Sequence, residues 1–329
     1  MTVYLALILA GCVIGLVLTP LVTSTSTALG LVDAPGGRKV HSTSVPRVGG
    51  IAVVLAAALA TVVVGLAARR LGVEMPEFRP MSPIFLGAGL VFGIGLIDDL
   101  RPLSAWLKIV VQLLAASLVL TSGLLIERVT IGGQTWQLGV MSWPITLAWI
   151  VGLTNAFNLI DGIDGLAAGI GVIAGVTCAT ILVGRGHVAE AMVLSALVGA
   201  TVGFLAYNFA PASIFLGDGG SLVIGFLLAT TAITGWQKGA TALAAGVPLL
   251  IFALPIADAL SALVRRIFRP TGAGRITVRR LLRQVAEPDR EHIHHRLMAL
   301  GWSTRRTVFL LYGVTFALSL IALATASFD

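Results

Sequence analysis

Long apolar segments alternate with short polar ones along most of the chain. The apolar segments occupy residues 3–22, 48–68, 82–97, 105–123, 143–157, 166–183, 189–209, 220–235, 241–264 and 307–327. An α-helix needs about 20 apolar residues to cross the hydrocarbon core of a bilayer. The pattern therefore predicts an all-α polytopic membrane protein with about ten transmembrane helices.

A small region between two of these segments has a different pattern. Residues 127–140, ERVTIGGQTWQLGV, alternate β-branched and polar residues about Gly132 and Gly133. Alternation with a period of two is typical of a strand, and paired glycines favour a tight turn. We expect a small β-hairpin on the outer surface.

The composition agrees with a membrane protein and gives no sign of a second domain. Hydrophobic residues make up 57% of the 329 residues, and charged residues make up 11%. The first apolar segment lacks the basic residues that precede a signal-peptide core, since the first basic residue is Arg38. We expect one integral domain, residues 1–329, in which Cys12 and Cys178 have packing roles.

Basic residues are unevenly distributed between the two predicted sides of the membrane. One side carries 16 Lys and Arg residues and the other carries 6. We expect the richer side to face the cytoplasm, as basic loops usually do. The segment 265–306 decides this result, because it supplies eleven of the 16.

Five aspartates lie at or beside the ends of apolar segments on the predicted cytoplasmic side. They are Asp98, Asp99, Asp161, Asp164 and Asp218. A carboxylate at a membrane boundary is costly to desolvate unless water, a cation or a metal compensates it. Their common position predicts a functional site.

Two adjacent carboxylates, Asp98 and Asp99, end the third apolar segment, and Arg101 and Lys108 follow shortly after. Adjacent carboxylates repel each other. A divalent cation, a basic group, or a proton kept by one acid and ready for transfer would stabilise the pair. The alternative is a solvated helix end without chemistry.

Polar residues recur every third position in TNAFNLIDGIDGLAAG, at Asn158, Asp161 and Asp164. In a helix this spacing places them along one face, and Gly162 and Gly165 let a ligand approach the backbone. The row suits contacts with a metal-bound diphosphate or with a nucleoside. An ordinary helix cap would explain one of these residues but not three.

The segment YNFAPASIFLGDGGSLVIG contains Asn208, Phe215 and Asp218. Asp218 offers Mg²⁺ a hard oxygen ligand, and Phe215 offers a nucleobase an aromatic face. The glycines after Asp218 would expose backbone N–H groups to phosphate at a helix start. Helix capping by Asp218 or Ser221 is the competing role, and the two roles are compatible.

The basic segment 265–306 contains a predicted helix. Pro288 suits the first turn of a helix and Gly301 suits the position just after its end. A helix over 288–300 is therefore expected on the same side of the membrane as the five aspartates.

Histidines and arginines give this predicted helix its chemistry. His292, His295 and Arg296 would share one face, whereas His294 would lie on another. Together with Arg265 they indicate a clamp for phosphate anions. A zinc site and a basic helix lying on anionic lipid are the alternatives.

Basic residues also precede the second apolar segment, at Arg38, Lys39, His41 and Arg47. They either bind an anionic substrate or only enforce topology. Asp258 differs from the other acids because it lies inside an apolar segment. It is either a functional acid within the membrane or a partner of a basic residue nearby in the sequence, Arg265.

Five motifs, in this order, resemble a known family. They are RKVHSTSVPRVGG, the Asp98–Asp99 pair, NLIDGIDG, FLGDGGS and HIHHRL, and they extend from about Asp33 to Arg296. The chain resembles the polyprenyl-phosphate N-acetylhexosamine-1-phosphate transferases. The resemblance implies a multi-pass protein of the bacterial plasma (inner) membrane with a cytoplasmic active site that uses Mg²⁺ or Mn²⁺. It also implies a UDP-N-acetylhexosamine donor and an undecaprenyl phosphate acceptor.

The resemblance also implies residue roles. Asp218 is the leading Mg²⁺ ligand, with Asn158 as a second; Asp98 and Asp99 hold or deprotonate the lipid phosphate; Asp164, Asn208 and Phe215 line the uridine site. The other candidates are Asp161, Lys108, His292, His294 and His295 for catalysis, and Arg38, Lys39, His41, Arg47, Arg265 and Arg296 for substrate binding.

Two local patterns distinguish branches of this family. HIHHRL preceded by Pro-Asp-Arg is similar to the N-acetylglucosamine branch, whereas the muramoyl-pentapeptide branch has three consecutive histidines, and TPTMGG in place of VPRVGG. The pattern favours UDP-N-acetylglucosamine as the donor. We expect the lipid product to be used for cell-envelope polysaccharide, and we expect no nucleic-acid partner. Three alternative functions stay open, which are the muramoyl-pentapeptide activity, a secondary transporter and a non-catalytic lipid-binding protein. A homodimer also stays open.

Overall fold

The computed structural model describes residues 1–33, 45–131, 134–236, 246–268 and 292–326. Within these ranges the chain is mostly helical. The helices are α1 Thr2–Ala28, α2 Gly49–Arg70, α3 Ser82–Leu100, α4 Ala105–Leu120, α5 Ser142–Ile160, α6 Leu166–Gly184, α7 Val188–Asn208, α8 Gly217–Trp236, α9 Gly246–Ile251, α10 Ala253–Phe268, α11 Ile293–Ala299 and α12 Thr304–Ala326.

Eight helices of the described residues are long and apolar enough to cross a membrane. They are α1, α2, α3, α5, α6, α7, α8 and α12, with short 3-10 turns extending α3 and α5 at their starts. The 16-residue α4 is a shorter apolar helix. These elements confirm the predicted all-α polytopic class.

The predicted continuous helix over 241–264 is wrong in its described part. Here α9 ends at Ile251 and α10 begins at Ala253. Pro255 explains the break, because it has no N–H to donate to the carbonyl of Ile251, and its ring would clash with that carbonyl in a continuous helix. The hydrogen bond from Ile256 N to Phe252 O, 3.0 Å, restarts the helical pattern.

Helix α8 lies at the centre of the bundle. It packs against α2, α3, α5 and α6, and almost all of its residues are buried. Its apolar side chains point in every direction, as expected of a helix enclosed by other helices. This central position fixes the N-terminus of α8, where Asp218 lies.

Small residues allow α1 and α7 to pack closely. A Cβ atom added at Gly11 would lie 2.8 Å from the carbonyl oxygen of Ala196, and one added at Gly203 would lie 2.3 Å from that of Cys12. Gly15 and Gly199 have similar backbone neighbours. Spaced glycines on both helices are typical of close transmembrane pairs, where van der Waals contact replaces the hydrophobic effect.

The N-terminus of α8 makes equally close contacts with two other helices. A Cβ atom at Gly50 of α2 would lie 2.3 Å from Gly220 N, and one at Gly95 of α3 would lie 2.6 Å from Gly219 N. Glycine at these four positions therefore brings the backbones of α2, α3 and α8 together beside Asp218.

Two short antiparallel sheets complete the described structure. The predicted hairpin is confirmed, with β3 Arg128–Ile131 paired to β4 Gln134–Gln137. The sequence did not predict the other sheet, in which β1 Val32–Asp33 pairs with β2 Val45–Pro46. It connects the end of α1 with the start of α2.

Replacing Gly95 by Ala tests the close packing of α3 on α8. The added methyl group would overlap the backbone of Asp218 and Gly219, so we expect a loss of about 1–3 kcal/mol, the usual cost of overpacking. Thermal unfolding in detergent or nanodiscs measures it. Gly93→Ala is the matched control, because a Cβ atom there meets nothing within 4 Å. Equal midpoints for the two variants would contradict the packing described.

Candidate active site

The two carboxylates at the end of α3 point to different partners. Asp98 Oδ1 accepts a hydrogen bond of 2.6 Å from Leu103 N, which stabilises the turn between α3 and α4. Its Oδ2 accepts one of 3.0 Å from Lys108 Nζ. Both residues are partly buried. The pair is therefore not a freely solvated helix end.

Asp99 holds the start of α8. Its Oδ1 accepts from Asp218 N at 2.8 Å, and its Oδ2 accepts from Gly219 N at 3.0 Å. A carboxylate is favourable there because the first N–H groups of a helix are unpaired and carry partial positive charge. The expectation that the N–H groups after Asp218 face phosphate is therefore wrong for Gly219, since Asp99 accepts its hydrogen bond.

Lys108 bridges two carboxylates from different helices. Its Nζ lies 3.0 Å from Asp98 Oδ2 and 2.7 Å from Asp218 Oδ2. Ser104 caps the helix that carries it by accepting from Leu107 N at 3.3 Å. The ammonium group thus joins α3, α4 and α8, as expected if a basic group stabilises the acids.

The polar row Asn158, Asp161 and Asp164 is not a single helix face. Helix α5 ends at Ile160, Asp161 follows as its C-cap, and Asp164 lies in the turn before α6. The condition for a single face, a helix that continues through residues 158–164, is therefore not met. The chain leaves the helix at Asp161, and the turn ends at Gly165, whose φ of +79° favours glycine at the start of α6.

Each residue of the row has its own environment. Asn158 Nδ2 donates to Ser221 Oγ of α8 at 3.0 Å. Asp164 Oδ2 accepts from Ala212 N at 3.0 Å, which attaches the turn to the segment between α7 and α8. Burial raises the pKa of the Asp161 carboxyl well above its usual range, and the negative charges of Asp218 and Asp99 add to this effect.

A second polar region lies between α7 and α8. Asn208 Nδ2 donates to Ile214 O at 2.9 Å, whereas its buried Oδ1 has no hydrogen-bond partner among the described residues. Phe215 is half-buried, and its N–H donates to Pro46 O at 2.8 Å. Asp164 accepts from Ala212 N in the same segment, so Asn208 offers a buried acceptor close to the turn of Asp164.

The described acids have the ligand chemistry of a Mg²⁺ site without forming a closed one. No three Asp, Glu, His or Cys side chains of the described residues converge as a metal cluster. Mg²⁺ usually takes one or two protein carboxylates and completes its shell with water and substrate phosphates. The hard oxygens of Asp218 and Asp98 fit that requirement, and the space between them already accommodates the cationic Nζ of Lys108.

The histidines lie beside the turn between Asp161 and Asp164, but their helix begins later than predicted. Helix α11 starts at Ile293, and His292 is its N-cap with an extended backbone, so one continuous helix over 288–300 is wrong. The expected separation of His294 from the other two is also wrong. The three rings form one cluster, with His294 and His295 centroids 4.3 Å apart and His292 and His294 centroids 5.7 Å apart.

His294 is the most enclosed of the three. It is 1% exposed, and a Cβ atom at Gly162 would lie 2.5 Å from its Nε2. Burial, together with the neighbouring His295, lowers the pKa of the His294 imidazole to about 4. The close approach expected of a ligand at Gly162 is thus made by a side chain of the chain itself.

The predicted basic residues are placed unevenly. Arg47 is exposed, and its charge acts on Asp161. Arg265 lies in the last turn of α10, where its Nη1 donates to Ser261 Oγ at 3.2 Å. Arg296 is exposed on α11. Arg38, Lys39 and His41 lie outside the described residues, as does most of the basic segment, 269–291.

Two residues of α12 make contacts near the site that the sequence did not predict. Arg305 Nε donates to Ala210 O at 2.9 Å, and Tyr312 Oη donates to Gly165 O at 2.5 Å. They hold the two loops that carry Asn208 and Asp164. Tyr312 lies in an apolar segment and Arg305 lies at its flank, with no motif around either residue, so no local pattern predicts these contacts.

The chain is similar in sequence to known proteins over most of its length. The sequence model of Glycosyl transferase family 4 matches residues 81–236. The chain is 37% identical to the probable undecaprenyl-phosphate N-acetylglucosaminyl 1-phosphate transferase of Bacillus subtilis, over 95% of this chain and 82% of that protein. It is 36% identical to the decaprenyl-phosphate N-acetylglucosaminephosphotransferase of Mycolicibacterium smegmatis, over 91% and 76%.

A relative with another name lies further away. The phospho-N-acetylmuramoyl-pentapeptide-transferase of Desulforudis audaxviator is 30% identical, over 87% of this chain and 86% of that protein. Matches at these identities along nearly the whole chain go beyond a shared membrane architecture. The chain therefore belongs to glycosyl transferase family 4.

Proposed function

We propose that the protein transfers N-acetylglucosamine 1-phosphate from UDP-N-acetylglucosamine to undecaprenyl phosphate, releasing UMP and forming a lipid diphosphate sugar. The main structural observation is the Lys108 ammonium held between Asp98 and Asp218, with Asp161 close enough to Asp218 for their charges to interact. The B. subtilis relative is named for the same transfer. The product would feed cell-envelope polysaccharide synthesis in the bacterial plasma membrane.

The reaction exchanges one phosphoanhydride for another. A phosphate oxygen of the lipid attacks the sugar-bearing phosphorus of the donor, and the bond from that phosphorus to the bridging oxygen breaks. UMP leaves with the electron pair of that bond. Little covalent chemistry is required of the protein, so positioning and charge stabilisation carry most of the catalysis.

The described residues divide these tasks. Lys108 and Arg47 supply positive charge to the phosphates. Asp98 or Asp99 holds or deprotonates the phosphate of the lipid acceptor. Burial and the charges of Asp218 and Asp99 raise the pKa of Asp161, which favours its protonated form as a hydrogen-bond donor to a phosphate oxygen. The unpaired Oδ1 of Asn208 can accept from an N–H group of the uracil ring.

A divalent cation is part of the proposal. Asp218 would hold Mg²⁺, with Asn158 as a second ligand. Asp98 lies near Asp218, because the ammonium group of Lys108 pairs with both carboxylates. When bound, the ion would neutralise the diphosphate, and Mn²⁺ is expected to substitute for it. The hard oxygens of these side chains are the support for this assignment.

The orientation and the sugar complete the proposal. The distribution of Lys and Arg supports a cytoplasmic site, where a UDP-sugar is available. Relatives at 37% and 36% identity that are named for N-acetylglucosamine support that sugar. Asp98, Asp99 and Asp218 lie at helix ends, whereas the charges of a secondary transporter usually lie near the membrane midplane.

The donor preference can be measured by competition. Purified protein receives undecaprenyl phosphate, Mg²⁺ and equal concentrations of UDP-N-acetylglucosamine and the UDP-muramoyl pentapeptide, each with its own label. We expect labelled lipid mainly from UDP-N-acetylglucosamine, together with UMP. Lipid labelled mainly by the pentapeptide donor would overturn the sugar assignment. A full panel of UDP-sugars without UMP release would overturn the transferase proposal.

Asp218→Asn tests the metal ligand. The amide keeps the shape of the side chain but loses the anionic oxygen, so we expect turnover to fall at least about 100-fold, the scale of one lost electrostatic contact in a transition state. Initial rates at limiting Mg²⁺ measure it. Glu190→Gln makes the same chemical change at the start of α7, far from the site, and should keep the wild-type rate. A near-normal rate for Asp218→Asn would remove Asp218 from the metal site.

Cysteine labelling tests the orientation. Single cysteines replace exposed Ser213 beside the site and exposed Gln137 in the hairpin, in a background lacking Cys12 and Cys178. In intact cells an impermeant thiol reagent should label the Gln137→Cys variant and not the Ser213→Cys variant. Permeabilisation should make the second one reactive. The opposite pattern would reverse the proposed topology.

A further inference from the structure

Asp258 is a buried acid on α10 outside the acidic cluster described above. It is 2% exposed and lies in a helix whose neighbouring residue Leu260 is 55% exposed. A buried carboxylate is costly unless hydrogen bonds or a positive charge compensate it. Its partners therefore show what it is for.

Both oxygens of Asp258 bind the histidine segment. Oδ2 lies 2.9 Å from His292 Nδ1, and Oδ1 accepts from Ile293 N at 2.8 Å. Ile293 is the first residue of α11, and His292 makes no side-chain cap of its own. Asp258 thus caps α11 from another helix. Because its carboxylate accepts from Nδ1–H, Nε2 is left as the ring nitrogen of His292 outside this contact.

A second contact places the same segment on the active site. Buried His294 lies against Gly162, where any side chain would collide with its ring. Gly162 belongs to the turn between Asp161 and Asp164. The histidine segment is thus attached at one end to α10 and rests at the other on the turn that carries two of the five aspartates.

We propose that Asp258 is a positioning residue that holds His292–His295 on the Asp161–Asp164 turn, where the histidines meet the donor's phosphates. This inference rests on the proposed transferase function. It also separates the two sequence interpretations of Asp258. The acid acts within the membrane boundary by orienting a histidine, and its hydrogen-bond partner is His292 rather than the neighbouring Arg265.

Asp258→Asn keeps the size of the side chain and removes its charge. We expect kcat/KM for UDP-N-acetylglucosamine to fall about 10- to 100-fold, the scale found when a group that orients a functional histidine is lost. Asp258→Glu keeps the carboxylate and should recover part of the rate. Leu260→Ala, on the exposed side of the same helix, should match the wild type.

A double-mutant cycle tests whether Asp258 acts through His292. In a His292→Gln background, adding Asp258→Asn should lower kcat/KM less than about 2-fold further, because the group it orients is already gone. If the loss of kcat/KM in the double variant equals the product of the losses in the two single variants, the positioning role is overturned. Wild-type kinetics for Asp258→Asn alone would also overturn it.

Hydrogen exchange gives a readout that does not depend on activity. Amides of Ile293–Ala299 should exchange at least about 10-fold faster in Asp258→Asn than in Leu260→Ala, because the cap of α11 is lost. Gly162→Ala should speed the same amides by displacing His294, which keeps the test open if Asp258→Asn does not fold. Unchanged exchange in both variants would overturn the inference. If the wild type transfers no sugar phosphate, the proposed function fails, and the exchange result still decides whether Asp258 holds α11.

Discussion

The ammonium group of Lys108, held between Asp98 and Asp218, is the interaction on which the arrangement of the site depends. Three charges in a partly buried position are stable only when they are close together and well oriented. Removing Lys108 would leave two uncompensated carboxylates beside the membrane, at a cost of about 3–5 kcal/mol for a fully buried pair and less here, because these side chains are 16–20% exposed. The ends of α3, α4 and α8 are therefore constrained to meet.

Close backbone packing makes that meeting possible. Asp99 can accept from both Asp218 N and Gly219 N only because Gly95, one turn earlier, lets α3 lie directly against α8. A side chain at Gly95 would move the two helices apart and lengthen both hydrogen bonds. Glycines in the membrane and carboxylates at its boundary thus have one common purpose, which is to fix the start of α8.

Local patterns predicted the parts of the structure that depend on local physics. Apolar length gave the membrane class, alternation about Gly132–Gly133 gave the hairpin, and the high cost of isolated carboxylates predicted that Asp98 and Asp218 would be compensated. The sequence did not predict how the row at Asn158 would bend, because a spacing of three suits both a helix and the turn found here.

Contacts between distant segments could not be predicted in this way. Asp258 and His292 are 34 residues apart, and no periodicity connects an acid inside an apolar segment with a histidine beyond a basic one. The same holds for Tyr312 and Gly165, which are 147 residues apart. Such pairs follow from the packing of whole helices. What could be predicted is only that a buried acid must have some partner.

The match to the family sequence model divides the site in an informative way. Residues 81–236 include the five aspartates, Lys108 and Asn208, but neither Arg47 nor the histidine segment on α11. The matched part contains most of the groups that we assign to the diphosphate and the nucleoside, whereas Arg47 and the histidines, which we also assign to the phosphates, lie outside it. Relatives named for N-acetylglucosamine and for the muramoyl pentapeptide differ in the sugar rather than in the phosphate chemistry. The histidine segment reaches the Asp161–Asp164 turn from outside the match, and Asp258 attaches it to α10 independently of the charges that hold α3, α4 and α8 together.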